Sequence, residues 1–308
     1  MKKISIIGAG QVGATAALYC LQKNLGNVFL LDIDEGIAKG KALDLLQTRP
    51  ILEFEPTIIG TSDYKDTKDS DLYIVTAGLA RKPGMDRLDL LKKNAEIISG
   101  IAENIKKYSP KSIVIVVSNP VDVMTYLMWK KTGFDSTKVI GQAGVLDSAR
   151  MAAFIMLEDA TLKIPEVNTV VLGGHGDTMV PLRELTTIDG TSISKMLKPE
   201  ILEQIIKRTQ NGGAEIVNLL KTGSAYYAPA AATVKMAESI LLDKKYILPS
   251  SVLPKGKYGL EGIYIGLPTE LGKNGVQEII ELDISEQEKD ALKKSADIYQ
   301  KSIKELNI

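Results

Sequence analysis

The segment that decides the fold is Ile4-Ser5-Ile6-Ile7-Gly8-Ala9-Gly10-Gln11-Val12-Gly13, near the start of the 308-residue chain. Its first four residues predict a buried β-strand, and its last six match the pattern G-x-G-x-x-G. A helix is predicted to begin directly after this turn. In that context Gly8 permits a tight turn, Gly10 lets the backbone approach a pyrophosphate, and Gly13 lets the helix pack against the strand. The segment therefore predicts a dinucleotide-binding βαβ unit.

A carboxylate follows at the spacing that such a unit requires. The second predicted strand ends just before Asp32, which lies 19 residues after Gly13. An acidic side chain here accepts hydrogen bonds from the adenosine ribose hydroxyls and repels a 2′-phosphate. The next residues, Ile33 and Asp34, supply no cation to offset that repulsion. The pattern predicts NAD rather than NADP, with these cofactor-binding residues: Gly8, Gly10, Gln11, Val12, Gly13 and Asp32.

Short apolar runs alternate with longer helical patterns through the first half of the chain. Most of the runs are continuously apolar, as parallel strands buried on both faces require. Strand, helix and strand in alternation predict a doubly wound parallel sheet. The predicted strands are 4–7, 28–31, 57–59, 72–75, 113–117 and 138–140, and the predicted helices are 11–24, 36–47, 88–108 and 121–132.

The pattern changes after about residue 144 and predicts a mixed α+β second domain. Its predicted helices are 147–159, 200–220, 226–242 and one from about 285, and its predicted strands are 169–172, 246–253 and 262–268. The last helix begins at Ser285, with Glu288 three residues on as a capping box. The fold class is therefore α/β, a doubly wound parallel Rossmann sheet followed by a mixed α+β catalytic domain. We predict an NAD-binding domain over 1–144 and a catalytic, substrate-binding domain over 145–308.

Composition and charge exclude several classes of protein. The chain is 44% hydrophobic and 25% charged, as in ordinary soluble globular proteins. Lys plus Arg and Asp plus Glu are both 38, so no net field attracts nucleic acid or anionic lipid. The single cysteine, Cys20, allows no internal disulfide and fits a reducing compartment. No run approaches the ~18 apolar residues of a membrane span. We expect a cytoplasmic protein with no metal, no nucleic-acid partner and no membrane partner.

Only one histidine is present, His175, in a glycine-rich turn. No other side chain has an unperturbed pKa near 6.5, so neutral acid–base chemistry points to it unless a carboxylate or lysine is strongly shifted. Asp147 and Arg150, three residues apart, share one face of a predicted helix. A Pro-Gly turn between Arg81 and Arg87 suits a loop that folds over a pocket. Taken singly, these features also fit a structural histidine, an ordinary ion pair and a solvated loop.

Taken in order, these segments resemble the lactate and malate dehydrogenase family, and the resemblance covers nearly the whole chain. Such an ordered set is highly specific. The residues that carry it are Gly8-Ala9-Gly10-Gln11-Val12-Gly13, Thr76-Ala77-Gly78, Arg81-Lys82-Pro83-Gly84-Met85-Asp86-Arg87, Ser118-Asn119-Pro120-Val121-Asp122, Leu146-Asp147-Ser148-Ala149-Arg150 and Gly173-Gly174-His175-Gly176-Asp177. The segment Gly141-Gln142-Ala143-Gly144-Val145-Leu146-Asp147 is similar to the lactate-dehydrogenase-like group of malate dehydrogenases rather than to the mitochondrial-type group.

The resemblance implies reversible hydride transfer between a 2-hydroxy acid and NAD. It implies that His175 moves the proton of the 2-hydroxyl and that Asp147 holds the imidazole tautomer. It assigns Arg150 to the C1 carboxylate and Arg87, on a closing loop, to the C2 carbonyl. Arg81 occupies the position that selects the group on C3, where arginine goes with malate and glutamine with lactate. Malate and oxaloacetate are therefore the implied substrates.

The resemblance also implies further contacts and an assembly. Asn119 would hydrogen-bond substrate or cofactor. It further implies a homodimer or homotetramer, formed by helices that correspond to 36–47 and 146–159. The remaining implied cofactor contacts are Thr76, Ala77, Gly78, Asn94, Val117 and Asn119.

Three alternatives stay open from the sequence. The nearest is an L-lactate or other 2-hydroxyacid dehydrogenase, which an assay of oxaloacetate against pyruvate separates. An NAD-dependent glycoside hydrolase on a related fold would need a metal held by cysteine and histidine, but Cys20 lies on the first helix, beside the phosphate turn. A non-catalytic dinucleotide-sensing module would be excluded by NADH oxidation on adding oxaloacetate.

Overall fold

The structure is a computed structural model that describes residues 1–79 and 87–306, without the side chains of Arg87 and Pro165. Residues 80–86 lie outside the described ranges, so the predicted substrate residue Arg81 does too. For Arg87 the structure describes only the backbone, at the start of a helix. Within the described residues, no helix is long and apolar enough to cross a membrane.

The first half of the chain forms the doubly wound parallel sheet that the apolar runs predict. Its strands lie in the order β3-β2-β1-β4-β5-β6, and all of these neighbours pair in parallel. The strands are β1 (Lys3–Ile7), β2 (Asn27–Leu31), β3 (Ile58–Thr61), β4 (Leu72–Val75), β5 (Ile113–Val116) and β6 (Val139–Gly141). The helices are α1 (Gln11–Gln22), α2 (Glu35–Gln47), α3 (Arg49–Leu52), α4 (Arg87–Tyr108) and α5 (Val121–Thr132).

The winding of this sheet places a crevice at its carboxyl edge. The chain moves outward from β1 to β3 and then returns to β4 on the other side of β1. In open α/β sheets, ligands bind outside the carboxyl ends of the strands where the strand order reverses. All four residues of β4 and of β5 are buried, as strands covered on both faces require.

The second half adds antiparallel strands and long helices. Strands β12, β13, β8 and β9 extend the sheet beyond β6, β14 pairs with β13, and β11-β10-β7 form a small separate sheet. The helices are α6 (Gly144–Glu158), α7 (Ile193–Met196), α8 (Pro199–Leu220), α9 (Tyr227–Leu241) and α10 (Glu286–Glu305). The strands are β7 (Val167–Asn168), β8 (Val171–Gly173), β9 (Met179–Pro181), β10 (Thr187–Ile188), β11 (Thr191–Ser192), β12 (Tyr246–Val252), β13 (Ile265–Gly272) and β14 (Gly275–Ile279).

The two halves meet inside one continuous sheet. Ser251 of β12 pairs with Gly141 of β6, and one hydrophobic cluster extends from β1 to α10. A Cβ at Gly141 would lie 2.7 Å from Ser251 Cβ, so glycine permits this close approach. We call the pairing of β6 with β12 the seam between the two halves. No sequence pattern indicated this pairing, and the division into domains at residues 144 and 145 stays a prediction.

Some element boundaries differ from the expected ones for local reasons. The strand expected at 169–172 begins only at Val171, because Thr169 turns its Oγ1 to the carbonyl oxygen of Ser148 in α6, 2.7 Å away. The strand expected from 262 begins at Ile265, because Gly262 has a φ of +72°. Strands β9, β10, β11 and β14 were not predicted, since two to five residues show no usable period.

Candidate active site

The glycine turn between β1 and α1 has the shape that a phosphate-binding turn needs. Gly8 has a φ of +105°, and a Cβ there would lie 2.8 Å from the backbone nitrogen of Ala77. A Cβ at Gly13 would collide with the backbone oxygen of Gly8. At Gly10, in contrast, a Cβ would meet no described atom within 4 Å. The fold therefore requires Gly8 and Gly13, whereas Gly10 faces open space beside the N-terminus of α1.

Asp32 lies directly behind this turn, at the end of β2. Its Oδ2 accepts a hydrogen bond from the backbone N–H of Ala9 at 2.6 Å. Lys41 of α2 also binds Ala9, since its Nζ donates to the carbonyl oxygen of that residue at 2.8 Å. Ile33 and Asp34 supply no cation, but Lys41 brings one to the backbone of Ala9, the residue that Asp32 also binds. Lys41, nine residues after Asp32 in the chain, lies against the glycine turn.

The loops after β4 and β5 form the opposite wall of the crevice. Thr76 Oγ1 donates to the carbonyl oxygen of Gly8 at 3.1 Å, which joins the first loop to the glycine turn. Ser118 Oγ donates to the carbonyl oxygen of Ala77 at 2.5 Å, which joins the two loops to each other. Gly78 is exposed and Val117 is half-buried at this edge. The predicted contact residues of these loops are thus brought to the glycine turn.

Asn94 of α4 fastens these loops with its side-chain amide. Its Oδ1 accepts from the backbone N–H of Leu79 at 2.8 Å, and its Nδ2 donates to the carbonyl oxygen of Asn119 at 2.9 Å. Asn94 is only 2% exposed, whereas Asn119 is exposed and is followed by a cis peptide bond to Pro120. A direct contact between Asn94 and a cofactor stays a prediction. Through these hydrogen bonds, Asn94 holds the loop after β4 and the loop after β5 at a fixed distance from each other.

His175 and Asp147 meet at the carboxyl side of the seam. His175 lies in the turn after β8, where Gly173 and Gly176 have φ values of +85° and +138°. Asp147 lies in the first turn of α6 and is 2% exposed. His175 Nδ1 is 2.9 Å from Asp147 Oδ2, and Arg150 Nη1 is 3.3 Å from Asp147 Oδ1. One buried carboxylate is therefore shared between an imidazole and a guanidinium.

The surroundings of His175 favour its charged form. Burial lowers the pKa of His175, but the charge of Asp147 and its hydrogen bond raise it more strongly. Arg150 opposes this effect and Asp122 adds to it, so the pKa of His175 lies above its ordinary value. A histidine held this way, with Nδ1 on a carboxylate, presents Nε2 as its proton-exchanging atom.

Arg150 is placed to bind an anion. Its side chain is 13% exposed, and among the described residues its guanidinium hydrogen-bonds only Asp147. The backbone of α8 passes close by, since a Cβ at Gly213 would lie 3.6 Å from Arg150 Nη2. A guanidinium has five N–H donors in a planar fork that matches a carboxylate. Arg150 therefore keeps donors that a carboxylate substrate can engage.

Some residues near the site were not predicted. Asp122, Ser251 and Tyr299 make hydrogen bonds around the His175 turn. Asp122 is the last residue of the motif Ser118-Asn119-Pro120-Val121-Asp122 that carries the family resemblance, but no role was predicted for it. Gln142 follows β6 and is 2% exposed, and its Nε2 has no hydrogen-bond partner among the described residues.

The residues at the carboxyl edge fit a bound dinucleotide. The space at Gly10 suits a pyrophosphate, and the first N–H groups of α1 are donors for it. Asp32 suits the ribose hydroxyls, and the buried amide of Gln142 suits a polar group of the cofactor. His175 and Arg150 lie at the same edge of the sheet, beyond β6. The fold and the site together define an NAD-dependent oxidoreductase.

Comparison with known proteins gives the family. Residues 2–141 match the NAD-binding domain of lactate/malate dehydrogenase, and residues 144–307 match the alpha/beta C-terminal domain of lactate/malate dehydrogenase. The chain belongs to the lactate/malate dehydrogenase family.

Individual relatives cover almost the entire chain. A malate dehydrogenase of Bacillus israeli is 50% identical over 307 residues, which are 99% of this chain and 98% of the relative. The apo structure of the malate dehydrogenase from Picrophilus torridus superposes with a TM-score of 0.96 at 42% identity, covering 99% of this chain and 97% of that one. A Cryptosporidium parvum lactate dehydrogenase, in complex with lactic acid and the cofactor, has a TM-score of 0.95 at 41% identity, with 99% and 98% covered.

Proposed function

We propose that this chain catalyses the reversible oxidation of (S)-malate to oxaloacetate with NAD. The observation that carries the proposal is the Asp147 carboxylate, which binds His175 through one oxygen and Arg150 through the other. This arrangement fixes a proton acceptor and an anchor for a substrate carboxylate relative to each other. A 2-hydroxy acid needs both groups at adjacent carbon atoms.

The chemistry follows from this arrangement. In malate oxidation the C2 hydroxyl loses its proton to Nε2 of His175, and the C2 hydrogen leaves with its electron pair, so that C2 becomes a carbonyl carbon. NAD, when bound, supplies the acceptor for that hydride. Asp147 stabilises the imidazolium that His175 becomes. Arg150 binds the C1 carboxylate through two parallel hydrogen bonds. The reverse reaction returns the proton from His175 to the C2 oxygen.

The choice of malate over lactate rests on Arg81 and on the relatives. By family resemblance, Arg87 polarises the C2 carbonyl and Arg81 faces the group on C3. A guanidinium complements the C4 carboxylate of oxaloacetate, whereas the methyl group of pyruvate leaves the cation buried without a partner, at a cost of about 3–5 kcal/mol. At about 1.36 kcal/mol per decade, this is roughly 10²–10⁴ in kcat/KM. A lactate dehydrogenase among the similar structures makes pyruvate the necessary comparison substrate.

The test is a two-by-two assay of oxaloacetate or pyruvate with NADH or NADPH, on the wild type and on Arg81→Gln. The proposal expects oxaloacetate with NADH to be the best pair. Arg81→Gln should depress oxaloacetate reduction by roughly 10²–10⁴ and raise pyruvate reduction, with a smaller gain than loss. Arg183→Gln is the matched control, because Arg183 is 46% exposed and pairs with Glu203 at the surface. An unchanged substrate ratio in Arg81→Gln would contradict the proposed substrate.

We also propose that the chain associates with itself as a homodimer or homotetramer. The two helices expected at the interface carry exposed apolar side chains: Ile37 and Leu43 on α2 are 47% and 57% exposed, and Leu157 on α6 is 65% exposed. Burying such side chains against a second copy removes apolar surface from water. Analytical ultracentrifugation of the wild type and of Leu43→Glu tests the assembly. A cytoplasmic location, expected from the single cysteine, stays a prediction.

A further inference from the structure

We propose that Asp122 is a positioning residue for His175, whose carboxylate anchors the His175 turn and places a second negative charge beside the imidazole. The inference rests on the proposed acid–base role of His175. It adds Asp122 to the arginines, His175 and Asp147 of the proposed site.

Asp122 joins three segments that are far apart in the chain. It lies in the first turn of α5 and is 0% exposed. Its Oδ2 accepts the backbone N–H of His175 at 3.0 Å, and its Oδ1 accepts the hydroxyl of Ser251 at 2.6 Å. Ser251 is the residue of β12 that pairs with Gly141 across the seam. Asp122 therefore ties the His175 turn to the point where the two halves of the sheet meet.

The rest of the His175 turn is held by neutral groups. Tyr299 of α10 donates its hydroxyl to the carbonyl oxygen of His175 at 3.1 Å. Ser295 of the same helix accepts the backbone N–H of Gly174 at 2.9 Å. The peptide groups on both sides of His175 are thus fixed. Of the described groups that hold the main chain of this turn, Asp122 is the one that carries a full charge.

The charged groups around His175 come from two helices. Asp147 and Arg150 face it from α6, and Asp122 faces it from α5, while Tyr299 of α10 contacts its main chain. Burial raises the pKa of Asp122 to about 6, against the hydrogen bonds from Ser251 and His175. The nearby charge of Asp147 raises it further. The charge of His175 lowers the pKa of Asp122, and the charge of Asp122 in turn raises the pKa of His175, so each group stabilises the charged form of the other.

The charge of Asp122 is not required for the hydrogen bonds alone. Asparagine has the same shape, and its Oδ1 could accept from His175 while its Nδ2 donates to Ser251. A buried carboxylate costs free energy that such an amide would avoid. The two hydrogen bonds therefore do not account for the charge, whereas the position of Asp122 beside His175 gives the charge a use. The substitution Asp122→Asn separates the charge from the anchoring, and Asp122→Ala removes both.

The test exploits the fact that His175 is the only histidine of the chain. The full-length protein, labelled with [13Cε1]histidine and produced without a histidine tag, gives one ring signal whose titration reports the pKa of His175. We expect Asp122→Asn to lower this pKa by about half a unit to one unit. Asp177→Asn is the matched control, since Asp177 lies two residues from His175 but is exposed. A pKa unchanged in Asp122→Asn, or lowered equally in Asp177→Asn, would overturn the proposal.

Activity provides the second measurement. Malate oxidation requires neutral His175, so the acidic limb of kcat/KM against pH should move to lower pH in Asp122→Asn by the same amount as the NMR titration. Asp122→Ala should in addition lower kcat at the plateau by about tenfold or more, with a smaller change in KM, because the turn loses an anchor. If Asp122→Ala does not fold, Asp122→Asn alone decides. Absence of malate oxidation in the wild type would contradict the proposed function, whereas the NMR result would still test Asp122.

Discussion

His175 Nδ1 lies 2.9 Å from Asp147 Oδ2, although 28 residues separate the two in the chain. The contact joins the turn after β8 to the first turn of α6. It leaves Asp147 Oδ1 for Arg150, at 3.3 Å. Because Nδ1 is committed to a carboxylate, the proton that the imidazole exchanges is on Nε2. This pair is therefore the first place at which the proposed chemistry can be tested.

Replacing the carboxylate of this pair should affect chemistry more than folding. Asp147→Asn has nearly the same shape but no longer stabilises the imidazolium. We expect kcat for malate oxidation to fall by ~10²–10⁴, the range typical of a disabled acid–base group. The pKa of His175 should fall as well, since Asp147 raises it more than any other group does. Steady-state kinetics and the histidine titration measure both effects. Asp159→Asn, at the exposed end of α6, is the control and should change neither.

Replacing the histidine should separate chemistry from cofactor binding. His175→Asn should lower kcat by ~10²–10⁴. The dissociation constant for NADH should stay within about twofold, because the glycine turn and Asp32 lie at the other end of the crevice. A fluorescence titration with NADH, alongside the assay, measures the two. Turnover close to the wild type would move the proton-transfer role to another group.

Asp32 should enforce the preference for NAD, and Lys41 should determine how readily it is relaxed. Asp32→Asn keeps an acceptor for Ala9 N–H but removes the charge that repels a 2′-phosphate. Lys41, on the carbonyl oxygen of the same residue, then becomes a cation that can attract the phosphate. We expect the kcat/KM ratio of NADPH to NADH to rise in Asp32→Asn and to fall back in Asp32→Asn/Lys41→Met. Equal use of both cofactors by the wild type would refute the role of Asp32.

The glycines of the turn should divide into those needed for folding and one needed for the cofactor. A Cβ at Gly10 meets no described atom, whereas one at Gly13 collides with the backbone of Gly8. Gly10→Ala should therefore keep the wild-type Tm within about 2 °C and weaken NADH binding about tenfold or more, because the pyrophosphate loses its close approach. Gly13→Ala should lower Tm clearly. Thermal unfolding and NADH titration of both variants distinguish them, and a full-affinity Gly10→Ala would contradict the assignment.

The raised pKa of Asp122 predicts a pH-dependent stability difference. A carboxyl group whose folded pKa exceeds its unfolded value of about 3.9 stabilises the fold below that value, and this contribution is lost as pH rises through about 6. Asp122→Asn does not titrate, so its free energy of unfolding should rise relative to that of the wild type between pH 4 and pH 7, by on the order of 2 kcal/mol. Urea unfolding of both proteins at pH 4 and pH 7, at one protein concentration, measures the change. If the free energies of unfolding of the two proteins differed by the same amount at both pH values, burial would not raise the pKa of Asp122.

Much of the first half could be predicted from the sequence, because the deciding forces there act locally. The strand before Gly8, the three glycines and the acid at residue 32 form a pattern within one βαβ unit, where steric limits and hydrophobic period leave few alternatives. Because the chain has a single histidine, His175 was the main candidate for acid–base chemistry at neutral pH. The spacing of Asp147 and Arg150 is enough to predict that they share one face of a helix.

Only the tertiary structure decided which groups meet across long stretches of chain. Periodicity could not show that Asp122 and Asp147 both face His175, that Lys41 folds back onto Ala9, or that Ser251 pairs with Gly141 at the seam. These contacts join segments separated by up to 129 residues, as between Asp122 and Ser251. A hydrogen bond between distant segments leaves no repeating trace in either of them, since each partner is a single polar residue in an otherwise ordinary strand or helix. The sequence thus determined the elements and the chemistry available to the chain, and the packing of those elements decided which charges share one buried space.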